Sequence, residues 1–96
     1  MDIGGNIITF KSRPGYFELE KSGIKNNTVR ISTTEEALQI QEIIKSHPKG
    51  STLIHIVNTE TEEDFYRTIR NVSVLLDTRV DGMVVIITWD ENKEVD

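Results

Sequence analysis

The stretch Ser22-Gly23-Ile24-Lys25-Asn26-Asn27-Thr28-Val29-Arg30 constrains the fold of this chain more than any other, because it packs a helix end, a tight turn and a strand into a few residues. Upstream, Pro14 suits a first helical turn, where its missing N–H has no partner to lose, and Gly23 suits the left-handed conformation that ends a helix about two turns later. Asn26-Asn27 tolerates a turn, and Thr28-Val29-Arg30-Ile31 has the β-branched content of a strand. Side chains alternate along a strand, so Thr28 and Arg30 share one face and Val29 and Ile31 the other. One face is apolar and the other chemical, which makes this segment the wall of a small pocket.

Length and composition bound the rest. Ninety-six residues predict one domain with a thin core, long enough to fold without metal or disulfide staples. The chain has no cysteine, which excludes disulfides, iron–sulfur clusters and a cysteine nucleophile. Its two histidines lie far from any ligand-like cluster, so no metal and no cofactor are expected. The start of the chain lacks a charged-then-apolar signal segment, and the apolar run at 83–87 is too short to span a bilayer, so a cytoplasmic protein with no membrane contact is expected.

A net charge of −5 argues against nonspecific coating of nucleic acid, whose affinity comes from neutralising phosphates. The charge is uneven, however. Residues 1–30 carry Lys11, Arg13, Lys21, Lys25 and Arg30 against Asp2, Glu18 and Glu20, whereas residues 31–96 carry six basic side chains against thirteen acidic. A locally positive end can steer a phosphate or nucleotide to one site while the acidic remainder repels a long polyanion; the alternative is that each face is merely solvated.

Beyond Ile31, Ser32-Thr33-Thr34-Glu35-Glu36 reads as a helix start, a hydroxyl cap followed three residues later by glutamate. Ala37, Ile40 and Ile44, flanked by Leu38 and Ile43, recur at helical spacing, and Pro48 and Gly50 stop the helix of 33–47. Leu53 to Asn58 reads as a strand and Asn58 to Asp64 as a polar turn. For 62–76 two readings compete. Glu62-Glu63-Asp64 suits a helix start and Phe65, Ile69 and Val72 a helical stripe, but Asn71-Val72-Ser73-Val74 is a poor helix interior, so a long strand from Phe65 to Leu76 is preferred. Asp81-Gly82 marks a turn and Met83 to Trp89 the last strand, and the charged tail from Asp90 to Asp96 is expected to fray. The elements predict an α+β fold in which a small mixed sheet curls into a partly closed barrel with two helices at its ends.

The spacing Gly23-x-Lys25-x-x-Thr28-x-Arg30 resembles the signature of the ASCH domains, a branch of the PUA-like β-barrel superfamily associated with RNA or modified nucleosides. Asn6 to Phe10 is similar to that family's first strand, and Arg13 to Ser22, with Tyr16 and Phe17, to its first helix. Val84 to Trp89 is similar to its closing strand. The helix at 33–47 departs from the pattern, which commonly carries a loop and a further strand there. The resemblance implies a binding module for RNA or a nucleotide-sized ligand at Lys25, Thr28 and Arg30, with Tyr16 and Trp89 as flat surfaces for a base.

Two other functions are weighed. The same spacing is similar to that of small ASCH-type amidohydrolases acting on acetylcytidine, which implies that Lys25 and Thr28 take catalytic positions. A lysine desolvated near the Thr28 hydroxyl can act as a base, and the planar donors of Arg30 can hold an oxygen. The glutamate those enzymes also need has no counterpart here, since Glu60, Glu62 and Glu63 lie on a turn. The third reading is a phage-type accessory protein that engages a basic protein partner through the acidic stretch Glu60 to Asp64. Each residue also has a structural reading: Thr28 as a strand former, Lys25 solvated, Arg30 paired with Glu18 or Glu20, Gly23 as a helix terminator, and Tyr16 and Trp89 as packing. Phe10, Phe17 and Phe65 are expected in the core, His55 as a hydrogen-bonded, partly buried strand residue, and His47 as an exposed helix end.

Overall fold

The computed structural model describes residues 1–76, 79 and 81–90. In chain order the elements are β1 (Asp2–Gly4), β2 (Ile7–Ser12), α1 (Pro14–Lys21), β3 (Asn27–Ser32), α2 (Thr34–Ser46), β4 (Leu53–Asn58), β5 (Asp64–Leu76) and β6 (Met83–Trp89). The six strands form one mixed sheet in the order β1-β2-β4-β5-β6-β3, so the fold is α+β with a sheet curled into an open half-barrel. Among the described residues, only β2 and β4 run parallel, and every other neighbouring pair is antiparallel.

The curl originates in β5. Its first part, from Asp64 to Thr68, pairs with β4, and its second part, to Leu76, pairs with β6. A register shift between Ile69 and Asn71 separates the two, and a bulge of this kind bends a strand and sharpens its twist. The thirteen-residue strand therefore serves as a corner, and the β-branched content of 65–76 prevails over the helical stripe. The bend swings β6 and β3 around until β3 faces the C-terminal end of β2 across a seam that, among the described residues, no strand pairing closes.

Local rules account for both helices. Pro14 opens α1, and Gly23, at φ 87°, follows its last turn in the left-handed region, where glycine has no steric penalty. α2 begins with a full capping box: Thr33 Oγ1 accepts from the Glu36 amide and the Glu36 carboxylate accepts from the Thr33 amide. Ala37 and Ile40 are buried and Ile44 packs against the core. At the other end His47 is half-buried rather than exposed, because its Nδ1 lies 2.8 Å from the Ile43 carbonyl oxygen, a group the helix end leaves unpaired.

Two features go beyond the sequence expectations. β1 was not anticipated; it is a short strand paired with β2 from Asp2↔Thr9 to Gly4↔Ile7. On β3 the apolar face looks outward, with Val29 and Ile31 at 58% and 62% exposure, while Thr28 is turned in. The core is built instead from alternate residues of β2, β4, β5 and β6, with Phe17 of α1 meeting Phe65 at 5.4 Å between ring centroids. Of the charged tail expected to fray from Asp90, Asp90 itself is tied down, its amide donating to the Thr68 carbonyl oxygen at 3.1 Å, and the rest, 91–96, lies outside the described residues. Among the described residues, no helix is long and apolar enough to cross a membrane.

Candidate functional site

Where α1, the end of β2, the start of β3 and the turn after β4 meet, the half-barrel is filled with polar side chains instead of apolar ones. Glu20 is the pivot. It stands one helical turn beyond Phe17 on the inner stripe of α1 and is 1% exposed. A carboxylate so placed needs compensating partners, and it has them: Ser12 Oγ donates to one oxygen at 2.8 Å and Lys25 Nζ to the other at 3.0 Å. The Lys25 ammonium also donates to the Asn27 carbonyl oxygen, and the Lys25 amide donates to the Leu19 carbonyl oxygen. The turn between α1 and β3 is thereby folded over the carboxylate.

Ser12 passes the network across the seam. Its hydroxyl accepts from Arg30 Nη2 at 3.0 Å, and Arg30 Nε donates to Thr28 Oγ1 at 2.9 Å. The Arg30 guanidinium lies over the Phe10 ring at 5.0 Å, a favourable position for a cation on a π face. Arg30 therefore rests on two neutral hydroxyls and a ring. Among the described residues no carboxylate pairs with it, and Nη1, which has no protein partner, is reached by solvent.

These side chains line a cavity of about 500 Å³. Lys25, Thr28 and Arg30 converge on it as expected, joined by Glu20 and Ser12 on its inner wall and by Lys11, Arg13 and Tyr16 at its rim. Lys11 and Arg13 are exposed and have no partner among the described residues. Four cationic side chains thus face one carboxylate, and that carboxylate is already bonded.

Other expectations are corrected. Lys25 and Thr28 are not hydrogen-bonded to each other; Glu20, Ser12 and Arg30 stand between them in the network. Arg30 pairs with neither Glu18 nor Glu20. Tyr16, 60% exposed, does line the cavity, but Trp89 does not: it is 1% exposed in the hydrophobic core. Of the acidic turn, Glu63 is bonded to Lys21 and Asp64 to His55 at 2.7 Å, so half of its carboxylates already serve the chain's own side chains. His55 is partly buried, as expected, between Asp64 and Thr9 and stacked on Tyr66.

The sequence reading missed Glu20 as a site residue. The signal was an acid three positions after Phe17 on a short helix, a place that faces the core. Ser12 had no comparable signal, since a single serine ending a strand is common. Among the described residues, no group of three or more His, Asp or Glu side chains is arranged to hold a metal ion. No family model matches this chain, and neither a curated protein nor a solved structure matches it.

Proposed function

We propose that this protein is a binding module that recognises RNA, or a nucleotide-sized piece of it, in the cavity between α1, β2 and β3. The observation that carries the reading is Arg30: a guanidinium held in place by Thr28 and Ser12, uncompensated by any carboxylate among the described residues, and facing a cavity whose rim adds Lys11 and Arg13. Such a fork is preorganised for a phosphate or carbonyl oxygen, and the cavity volume lies in the range of small-molecule sites. Tyr16 offers an exposed ring for stacking a base, an interaction worth about 1–3 kcal/mol. The resemblance of Gly23-x-Lys25-x-x-Thr28-x-Arg30 to the ASCH signature points the same way.

Calorimetric titration with nucleoside monophosphates and short RNAs across a salt series tests it. Binding that weakens with salt and falls at least about tenfold in Arg30→Ala is the expected result, the size of one charge-assisted contact. No detectable binding, or affinity indifferent to Arg30, refutes it.

A second reading, hydrolysis of an acylated cytidine, is favoured by one observation, the buried Glu20 carboxylate bonded to Lys25. It supplies the acid that the turn glutamates do not. In that reading water is consumed, the acyl C–N bond breaks to a carboxylic acid and an amine, and Arg30 holds the carbonyl oxygen. Turnover on a panel of acylated nucleosides, lost in Glu20→Gln and Thr28→Ala, is its test, and an inactive wild-type protein removes it.

A further inference from the structure

The cavity just described shares lining residues with a neighbour. A second hollow of about 580 Å³ runs along the outer side of the open seam, between β1 and β2 on one side and β3 on the other, lined by Met1, Asp2, Thr9, Phe10 and Ile31. Lys11 and Arg30 line both hollows. They are the residues at which the two spaces adjoin, and they are cations that no carboxylate among the described residues neutralises.

The geometry points to a ligand with an anion in its middle and a substituent on either side. We infer that the site takes a single-stranded oligonucleotide rather than a free nucleotide, with one internal phosphodiester held by Arg30 and Lys11, one nucleoside in the cavity beside Tyr16 and its neighbour in the seam. This rests on the proposed nucleotide pocket and deepens it. An internal phosphodiester carries a nucleoside on each of two ester oxygens of a single phosphorus, and each hollow is separately within the size range of a small-molecule site. Away from Arg30 and Lys11, the second hollow suits a neutral or weakly polar group. Asp2 is its single acidic lining residue, Ile31 and Phe10 supply apolar surface, and Thr9 a hydroxyl.

The seam also explains how an acidic protein selects a short strand. The cations gather where β2 and β3 face each other, while the net charge of −5 repels a long polyanion elsewhere. Contact is confined to the two or so nucleotides that the hollows span.

The test compares, for the full chain at low salt, each common ribonucleoside 5′-monophosphate with the matching dinucleoside monophosphate. The dinucleotide carries less charge, so a purely electrostatic pocket favours the monophosphate. The expected result is the reverse, with the dinucleotide tighter by at least about tenfold through the second nucleoside. Ile31→Ala, which trims apolar surface from the second hollow at an exposed position and adds no charge beside Arg30 and Lys11, is expected to reduce that advantage and leave monophosphate affinity within about twofold, since uncharged surface changes are near neutral. Equal or weaker binding of the dinucleotide, or an Ile31→Ala effect of the same size on both ligands, overturns the inference and leaves the pocket reading standing. Absence of binding by either ligand overturns both.

Discussion

Replacing Lys25 with alanine is expected to cost stability through Glu20. The Glu20 side chain is 1% exposed and has two side-chain partners, Ser12 and Lys25. Without the ammonium, the buried carboxylate retains one hydroxyl donor from the protein. Breaking a buried ion pair from one side costs roughly 3–5 kcal/mol. Lys25 itself is 29% exposed, so water can enter the space it leaves, and about 3 kcal/mol is the expected loss. For a domain of this length each kcal/mol lowers Tm by about 4–8 °C, so Lys25→Ala is expected to melt roughly 12–24 °C below wild type. The assay is equilibrium urea unfolding of wild type, Lys25→Ala, Glu20→Gln and the double variant. Glutamine removes the stranded charge and keeps an acceptor for Ser12, so the double variant is expected to recover about 2 kcal/mol, a coupling within the range of contacting residues. A loss below about 1 kcal/mol in Lys25→Ala, the scale of an exposed ion pair, or no recovery on adding Glu20→Gln, refutes the idea that Lys25 compensates a buried acid.

Thr33→Ala removes half of the capping box on α2 and is expected to cost about 1 kcal/mol by urea unfolding, with Thr33→Ser close to wild type. Gly82→Ala is expected to destabilise by about 2 kcal/mol or more, because Gly82 sits at φ 134° and a Cβ there would lie 2.4 Å from the Ser32 carbonyl oxygen; an alanine variant as stable as wild type would show that the turn before β6 gives way freely. Trp89, the single tryptophan, lies in the core, so saturating nucleotide is expected to leave its emission unchanged while urea shifts it to the red. Quenching by ligand in the folded protein would put a base against Trp89 and contradict its place in the core.

Much of the element pattern was legible because local chemistry and packing agree. The hydroxyl and glutamate of the α2 start, Pro14 and Gly23 around α1, and the β-branched run of β5 each have a local physical cause that the tertiary structure does not override. β1 was not legible. Three residues ahead of Gly5 carry no alternation to read, and their pairing with β2 depends on the turn between them. The orientation of β3 was legible only in part. Alternation reveals that Thr28 and Arg30 share a side but not which side faces in, and the partner that decides it, Ser12, comes from another element. The long-range pairing of Ser12 with Arg30 has no sequence signature at all, since it depends on how far β5 bends.

The inward turn of β3 and the open seam have a common origin. A closed barrel this small fills its interior with apolar side chains, and Thr28 and Arg30 facing such an interior would strand a hydroxyl and a charge, each costly to bury without partners. Two arrangements avoid that cost. β3 could present Val29 and Ile31 inward and place Arg30 in solvent, or the polar face could turn in and meet its own partners. The chain adopts the second, and the partners are Ser12 at the end of β2 and, through it, Glu20 and Lys25. Meeting Ser12 through the long side chain of Arg30, rather than backbone to backbone, holds β3 away from β2 and leaves the seam unpaired. The exposure of Val29 and Ile31, which a folding argument alone would count as a loss, is thus the counterpart of an interior cation aimed at a cavity. Proteins accept such local conflicts most readily where the misplaced group has a task, and here the group is the uncompensated guanidinium on which the binding reading depends.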